Sequence, residues 1–160
     1  MNPKEYVVLL ADDDPNDVFL LQRAFQKTNI ANPLRVVRDG EEAMAYLSGQ
    51  DQYADRQRHP LPVLLLLDLK MPRKSGFEVL RWVRQQSGLK RLPVVVLTSS
   101  NQNPDINKAF DLGANSYIVK PGGFDSLVEM VKNLNLYWLI LNEKPQLRGG
   151  VPEVRSREVL

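Results

Sequence analysis

The chain has 160 residues, enough for one core with both faces of a sheet covered and too few for two ordinary domains. A formal charge of +2, with acidic and basic residues interspersed, provides neither a nucleic-acid footprint nor a membrane-binding patch. The lack of cysteine excludes disulfides, thiol catalysis and thiolate-held metal, and the polar start over residues 1–5 has no signal-peptide core, so a cytoplasmic location is expected.

Residues 6–11 are a short apolar run, read as the first strand. Asp12-Asp13-Asp14-Pro15 then opens a helix with Asp14 as N-cap and Pro15 at the first helical position. Val18, Leu21 and Phe25 form its inward stripe, and it is expected to end near residues 27–29. A second strand over 34–38 leads to Asp39, which stands three residues before Glu42 at capping-box spacing and opens a helix through Ala43, Met44 and Leu47. Residues 48–62 make a polar link too long for a compact α/β unit, expected to be mobile or to face a partner. The only histidine, His59, lies there with no second metal-type ligand near it in sequence.

Residues 63–67 are five apolar residues in a row, too few to cross a bilayer and without helical caps, so they read as a strand buried on both faces. Asp68 follows at once. It could merely start a turn, but open parallel sheets keep their chemistry beyond the C-terminal ends of their strands. Ser75 and Glu78 repeat the capping-box spacing, and Phe77, Leu80 and Val83 face inward from a third helix expected to end at Gly88. Residues 93–98 form a fourth strand ending on Thr98, and a short helix over 104–112 is stopped by Gly113. Residues 116–119 form the fifth strand, followed by Lys120-Pro121 and a last helix over 124–143. Residues 144–160 hold two prolines, a Gly149-Gly150 pair and no apolar period, and read as a flexible tail behind a domain over 1–143.

Five strands alternating with five helices imply right-handed crossovers and a parallel sheet covered on both sides, an α/β fold. The flavodoxin-like order 2-1-3-4-5 places the switch point between the first and third strands, which brings Asp12, Asp13 and Asp68 together. Carboxylates so grouped repel unless a cation lies among them, and an all-oxygen donor set suits Mg²⁺. The alternative is an acidic cluster that only complements a helix dipole, which accounts for Asp14 better than for Asp68.

In the last helix Phe124, Leu127, Val128, Val131, Leu134, Trp138 and Leu141 fall on one stripe, whereas Leu136, Tyr137 and Ile140 cannot share it. An apolar surface nearly all round the final turns predicts a homodimer through this helix, unless the 48–62 link or the tail covers it.

Asp12-Asp13 after the first strand, Asp68 followed by Met71-Pro72 and Gly76, Thr98 after the fourth strand, and Tyr117 with Lys120-Pro121 together resemble the receiver domain of two-component response regulators, over about residues 6–141. The resemblance implies that Asp68 is a phosphoacceptor served by a sensor histidine kinase. Asp13, Asp68 and the backbone carbonyl of Lys70 would hold Mg²⁺, with Asp12 acting mainly through the metal's waters. Lys120 and Thr98 would contact the phosphoryl oxygens, and Tyr117 would be the aromatic that turns when Thr98 moves. Pro121 resembles the family's cis-proline, Ser99 stands where the family prefers a small residue, and Lys70 and Ser100 occupy positions that tune dephosphorylation.

No output domain is read after the receiver, so a product acting through protein contacts is expected and no nucleic acid or membrane is a partner. The long link and the aromatic end of the last helix resemble the small receivers that partner bacterial phytochrome kinases. Two other readings compete. An aspartyl phosphohydrolase would want a second aspartate where this chain has Lys70, and a phosphorylation-independent scaffold would need none of Asp13, Asp68, Thr98 and Lys120. The expectation is therefore a switch and not an enzyme.

Overall fold

The computed structural model describes residues 6–148. In order these form β1 (Val8–Ala11), α1 (Pro15–Lys27), β2 (Leu34–Val37), α2 (Gly40–Ser48), a 3₁₀ turn (Asp51–Tyr53), β3 (Leu64–Leu67), α3 (Gly76–Gln85), β4 (Val94–Thr98), α4 (Asn103–Asp111), β5 (Ser116–Val119), α5 (Phe124–Leu134) and a π-helical segment (Asn135–Leu141). The strands make one parallel sheet in the order β2-β1-β3-β4-β5, the order expected of the flavodoxin-like fold.

The residues of β1 and β3 are essentially inaccessible, as their unbroken apolar sequence demands. Alternation splits them between two cores. Val8, Leu10, Leu64 and Leu66 pack with Val18, Leu21 and Phe25 of α1 and with Val128 and Val131 of α5. Leu9, Leu65 and Leu67 pack with Ala43, Tyr46 and Leu47 of α2 and with Val79, Leu80 and Val83 of α3. Register then fixes the functional edge: Ala11 pairs with both Val37 and Leu67, and Leu67 pairs with Val96, so the residues that follow β1 and β3 leave the sheet side by side.

Local signals set the helix starts. Asp14 accepts from the amides of Asn16 (2.9 Å) and Asp17 (3.4 Å) ahead of Pro15. Ser75 and Glu78 form the full capping box, with both bonds at 3.2 Å. At α2, Asp39 accepts from the Glu42 amide (2.7 Å), but Glu42 Oε1 accepts from the Arg38 amide rather than that of Asp39, so the box closes one residue early. α3 stops at Gln85, short of the expected Gly88, because the chain turns through residues 86–92 toward β4. Its buried face includes Val79, while Phe77 is only half-buried, against Leu69, Val96 and Ala109.

The 48–62 link is tied to the body at Tyr53, Arg56 and His59, while the residues between these are exposed. Tyr53 turns into the α2 side of the core with its ring 4.9 Å from that of Tyr46 and 5.1 Å from that of His59. Its hydroxyl donates to Glu42 (2.6 Å), and Tyr46 donates to the Pro60 carbonyl (2.9 Å). Arg56 donates to the carbonyls of Tyr46 (2.8 Å), Leu47 (2.8 Å) and His59 (3.1 Å), satisfying the C-terminal carbonyls of α2. Arg84 of α3 plays the same part elsewhere, donating to the carbonyls of Gly113, Lys90 and Leu92 and to the side chain of Asn115.

The last helix also departs from expectation. After Leu134 the hydrogen bonding shifts to the i→i+5 pattern, as in the bond from the Asn142 amide to the Tyr137 carbonyl (2.7 Å), and the helix ends at Leu141 rather than at residue 143. A five-residue step therefore carries the inward stripe from Leu134 to Leu139, which is 8% exposed, while Leu141, assigned to the stripe by α periodicity, is 61% exposed. Leu136, Tyr137 and Ile140 are exposed, as the pattern requires. Residues 144–148 of the expected tail pack on the body: Lys144 donates to the carbonyls of Leu139 (3.0 Å) and Asn142 (3.3 Å), Leu147 joins the α2–α3 core, and the Arg148 amide donates to the Gly88 carbonyl (2.6 Å). The rest of that tail, 149–160, lies outside the described residues. None of the described helices is long and apolar enough to cross a membrane.

Candidate functional site

The C-terminal ends of β1, β3 and β4 and the start of the β5–α5 turn meet at one edge. Asp12 and Asp68 are held there by the strands before them, their amides donating to Val37 (3.1 Å) and Ala11 (3.0 Å) as the ladder's last rungs. The Lys120 amide donates to the Thr98 carbonyl (2.8 Å), which fixes the start of the lysine's reach toward the sheet centre. The Lys120–Pro121 bond is trans, against the cis form that the resemblance suggested.

Asp68 is 8% exposed, and its Oδ1 accepts from the Leu69 amide at 2.8 Å. Asp12 is 2% exposed, and its Oδ1 accepts from the Asp14 amide at 3.0 Å. The second oxygen of each faces Lys120, whose Nζ lies 2.8 Å from Asp12 Oδ2 and 3.2 Å from Asp68 Oδ2. Burial pushes the Asp12 carboxyl up from its ordinary value, only partly offset by the Lys120 hydrogen bond. Burial also works against the Lys120 charge, but the hydrogen bonds to Asp12 and Asp17 and the charges of Asp68 and Asp12 outweigh it, so the ammonium is held above the usual lysine range.

Asp17 is the site residue that the sequence did not disclose. It sits one turn into α1, where an acidic residue reads as a complement to the helix dipole, yet its Oδ2 lies 2.8 Å from Lys120 Nζ, as close as Asp12. Its position after Asp14, at the third helical residue, was the signal available: that turn of α1 starts directly above the sheet edge.

Asp13 is exposed and Thr98 buried at the same edge, and Lys70 is exposed two residues after Asp68. Carboxylate oxygens of Asp12, Asp13 and Asp68 lie within 4.8 Å of one another, so these three could hold one cation. The donor set fits a hard ion: all the ligand atoms are oxygens, none is sulfur or imidazole, and the exposure of Asp13 leaves room for bound water. One ammonium among Asp12, Asp17 and Asp68, with Asp13 beside them, leaves the negative charge unbalanced, which favours a cation further.

Tyr117 does not lie outward on the edge strand. It packs against Leu69, Val96 and Ala109, and its hydroxyl donates to the Ser100 carbonyl at 2.9 Å, next to a Ser100 hydroxyl that donates to Asp105 at 2.6 Å. On the far rim Arg73, in the left-handed region with φ 68, donates through Nε to Asp39 (3.0 Å), tying the loop after Asp68 to the start of α2. His59 lies in the aromatic cluster of the 48–62 link and has no part in this edge.

The sequence pattern of one protein family, described as the response regulator receiver domain, matches residues 8–132. Response regulator Rcp1 of Synechocystis is 39% identical over 138 residues, covering 86% of this chain and 91% of its own. Its Mn²⁺-bound form has been solved and superposes with a TM-score of 0.78 at 38% identity, covering 88% of this chain and 99% of that one. The phosphorylated cyanobacterial phytochrome response regulator RcpA gives a TM-score of 0.81 at 38% identity, again covering 88% of this chain and 99% of that one. A response regulator in red-light signalling of R. palustris gives 0.84 at 35% identity, with the same coverage.

Proposed function

The chain belongs to the response regulator receiver domain family, and from that membership we propose that it accepts a phosphoryl group on Asp68 from a sensor histidine kinase and thereby switches its protein contacts. The observation that carries this reading is Asp68 itself: an enclosed carboxylate at the end of the central strand, with an amide on one oxygen and the Lys120 ammonium on the other. Asp68 needs no general base, because an ionised carboxylate is already a nucleophile. One of its oxygens attacks the phosphorus of a phosphohistidine, the P–N bond breaks, and the imidazole leaves with the electron pair. Lys120 offsets charge on the phosphoryl oxygens, and the Thr98 hydroxyl donates to one of them.

Asp12, Asp13 and Asp68, with the Lys70 carbonyl, would hold Mg²⁺, which when bound supplies positive charge to the transferring group. The new dianion draws Thr98 toward it. That opens space for Tyr117, whose present bond to the Ser100 carbonyl is then exchanged for a more buried position. The chain is a phosphoacceptor rather than an enzyme with turnover, and works in the cytoplasm. The phytochrome response regulator RcpA and the red-light regulator of R. palustris among the structures it resembles support a phytochrome-like kinase as donor. The exposed Tyr137 and Ile140 support a homodimer through the π-helical end of the last helix.

Incubation of the full chain with acetyl phosphate and Mg²⁺ should add one phosphoryl group, read as a mass increment, and Asp68→Asn should abolish it, because the amide is not an anionic nucleophile. Stable labelling of Asp68→Asn at the parent's stoichiometry would overturn the assignment.

A further inference from the structure

A lysine ammonium has three hydrogens to donate. In this site all three are committed, to Asp12 and Asp17 at 2.8 Å and to Asp68 at 3.2 Å, and the longest contact is the one to the proposed acceptor. A phosphoryl group arriving on Asp68 brings further acceptor oxygens, and the single hydrogen that the esterified Asp68 gives up can serve only one of them. A second hydrogen for the phosphoryl group must come from Asp12 or Asp17. Asp12 is enclosed and belongs to the cation-holding group, so releasing it leaves a buried acceptor without its donor. Asp17 lies outside that group, and its side chain is 32% exposed, so water can replace the ammonium there at small cost.

We infer that Asp17 is a positioning residue that competes with the phosphoryl group for Lys120 and so biases the protein toward its unmodified state, an inference that rests on the receiver reading above. Two effects act in the same direction. The bond from Lys120 to Asp17 exists in full only while the phosphoryl group is absent, and the Asp17 charge, on the same ammonium, repels a dianion placed on Asp68. In the unmodified protein Asp17 also draws Nζ away from Asp68, which accords with the longer third contact. The simpler account, that Asp17 only complements the α1 dipole, predicts a contribution that is equal in both states.

The test uses the full chain and Asp17→Asn, which keeps size and polarity while removing the charge. Melting temperature is measured with and without Mg²⁺ plus beryllofluoride, a phosphoryl mimic that needs no transfer step, and the labelled fraction is measured at limiting acetyl phosphate. Competition predicts a larger stabilisation by the mimic in Asp17→Asn than in the parent, and a ratio of labelled to unlabelled protein raised by up to about fivefold, the upper limit for a partly exposed ion pair lost from one of two states. A dipole role alone lowers both melting temperatures equally and leaves the increment and the labelled fraction unchanged, which overturns the inference while leaving Asp68 as acceptor. A decreased labelled fraction also overturns it, by making Asp17 an anchor for Lys120 rather than a competitor. A parent that neither labels nor gains stability from the mimic overturns the receiver reading and this inference with it.

Discussion

At Asp39 two functions of one carboxylate meet. It caps α2 through the Glu42 amide and receives Arg73 from the loop after Asp68. Burial pushes its carboxyl up, but the hydrogen bonds from the Glu42 amide and the Arg73 guanidinium outweigh that, and the group titrates below its ordinary value of 3.8. A lowered folded-state value means that the charged form contributes stability above pH 3.8 and that this contribution is lost as the pH falls through the folded value. Asp39→Asn keeps the cap, since asparagine caps about as well as aspartate, and removes the charge. Urea midpoints should place the variant below the parent by a constant gap from neutral pH down to about pH 4, with the gap closing in more acidic buffer. A gap of unchanged width at pH 3 would mean that the charge is irrelevant. Residues of this kind divide by what the sequence can disclose. Asp12, Asp13, Asp68 and Lys120 were legible because each follows an apolar run, and parallel pairing must bring such ends together. Asp17 was not, because its partner is 103 residues away and its own surroundings already explain an acidic side chain.

At the scale of elements, capping signals carried through at α1 and α3, where donor and acceptor lie within four residues of each other. What depends on tertiary contact did not. Nothing in the polar composition of residues 48–62 announces that Tyr53 will stack on Tyr46, or that Arg56 will reach back to carbonyls nine and ten residues earlier. The last helix failed for a different reason, since a stripe extrapolated at 3.6 residues per turn cannot foresee a change of helical period at residue 135. Two truncations separate the periods. Leu139→Ala should cost about 2–5 kcal/mol by urea unfolding, as for a buried leucine, whereas Leu141→Ala should stay within about 0.5 kcal/mol. Equal costs would restore the α register. The same shift sets which side chains face outward, so charged replacements at Tyr137 and Ile140 should leave the fold intact and turn the expected micromolar dimer into a monomer by light scattering. A parent that is monomeric throughout that range would assign the patch to another partner.

Over the whole molecule, alternation of short apolar runs with capped helices was enough for the strand order, because right-handed crossovers and a central pair of fully apolar strands leave few arrangements. The opposite end of the sheet was less legible, since the cavity there is lined by Arg56, Pro60 and Leu61 together with Lys144, Pro145 and Leu147, from distant parts of the chain. Arg56 and Arg84 bring guanidinium groups to the backbone, and partial burial lowers both below the usual arginine range. These bonds have a chemical consequence. A dicarbonyl reagent that condenses with free guanidinium should pass over both side chains while they lie on their carbonyls, and modify them only when the local structure opens. Peptide mapping after brief exposure would then time two events separately: adduct at Arg56 marks release of the 48–62 link, and adduct at Arg84 marks parting of α3 from the turn at Gly113. Covalent footprinting thus has two internal clocks in this chain, without any label having to be introduced.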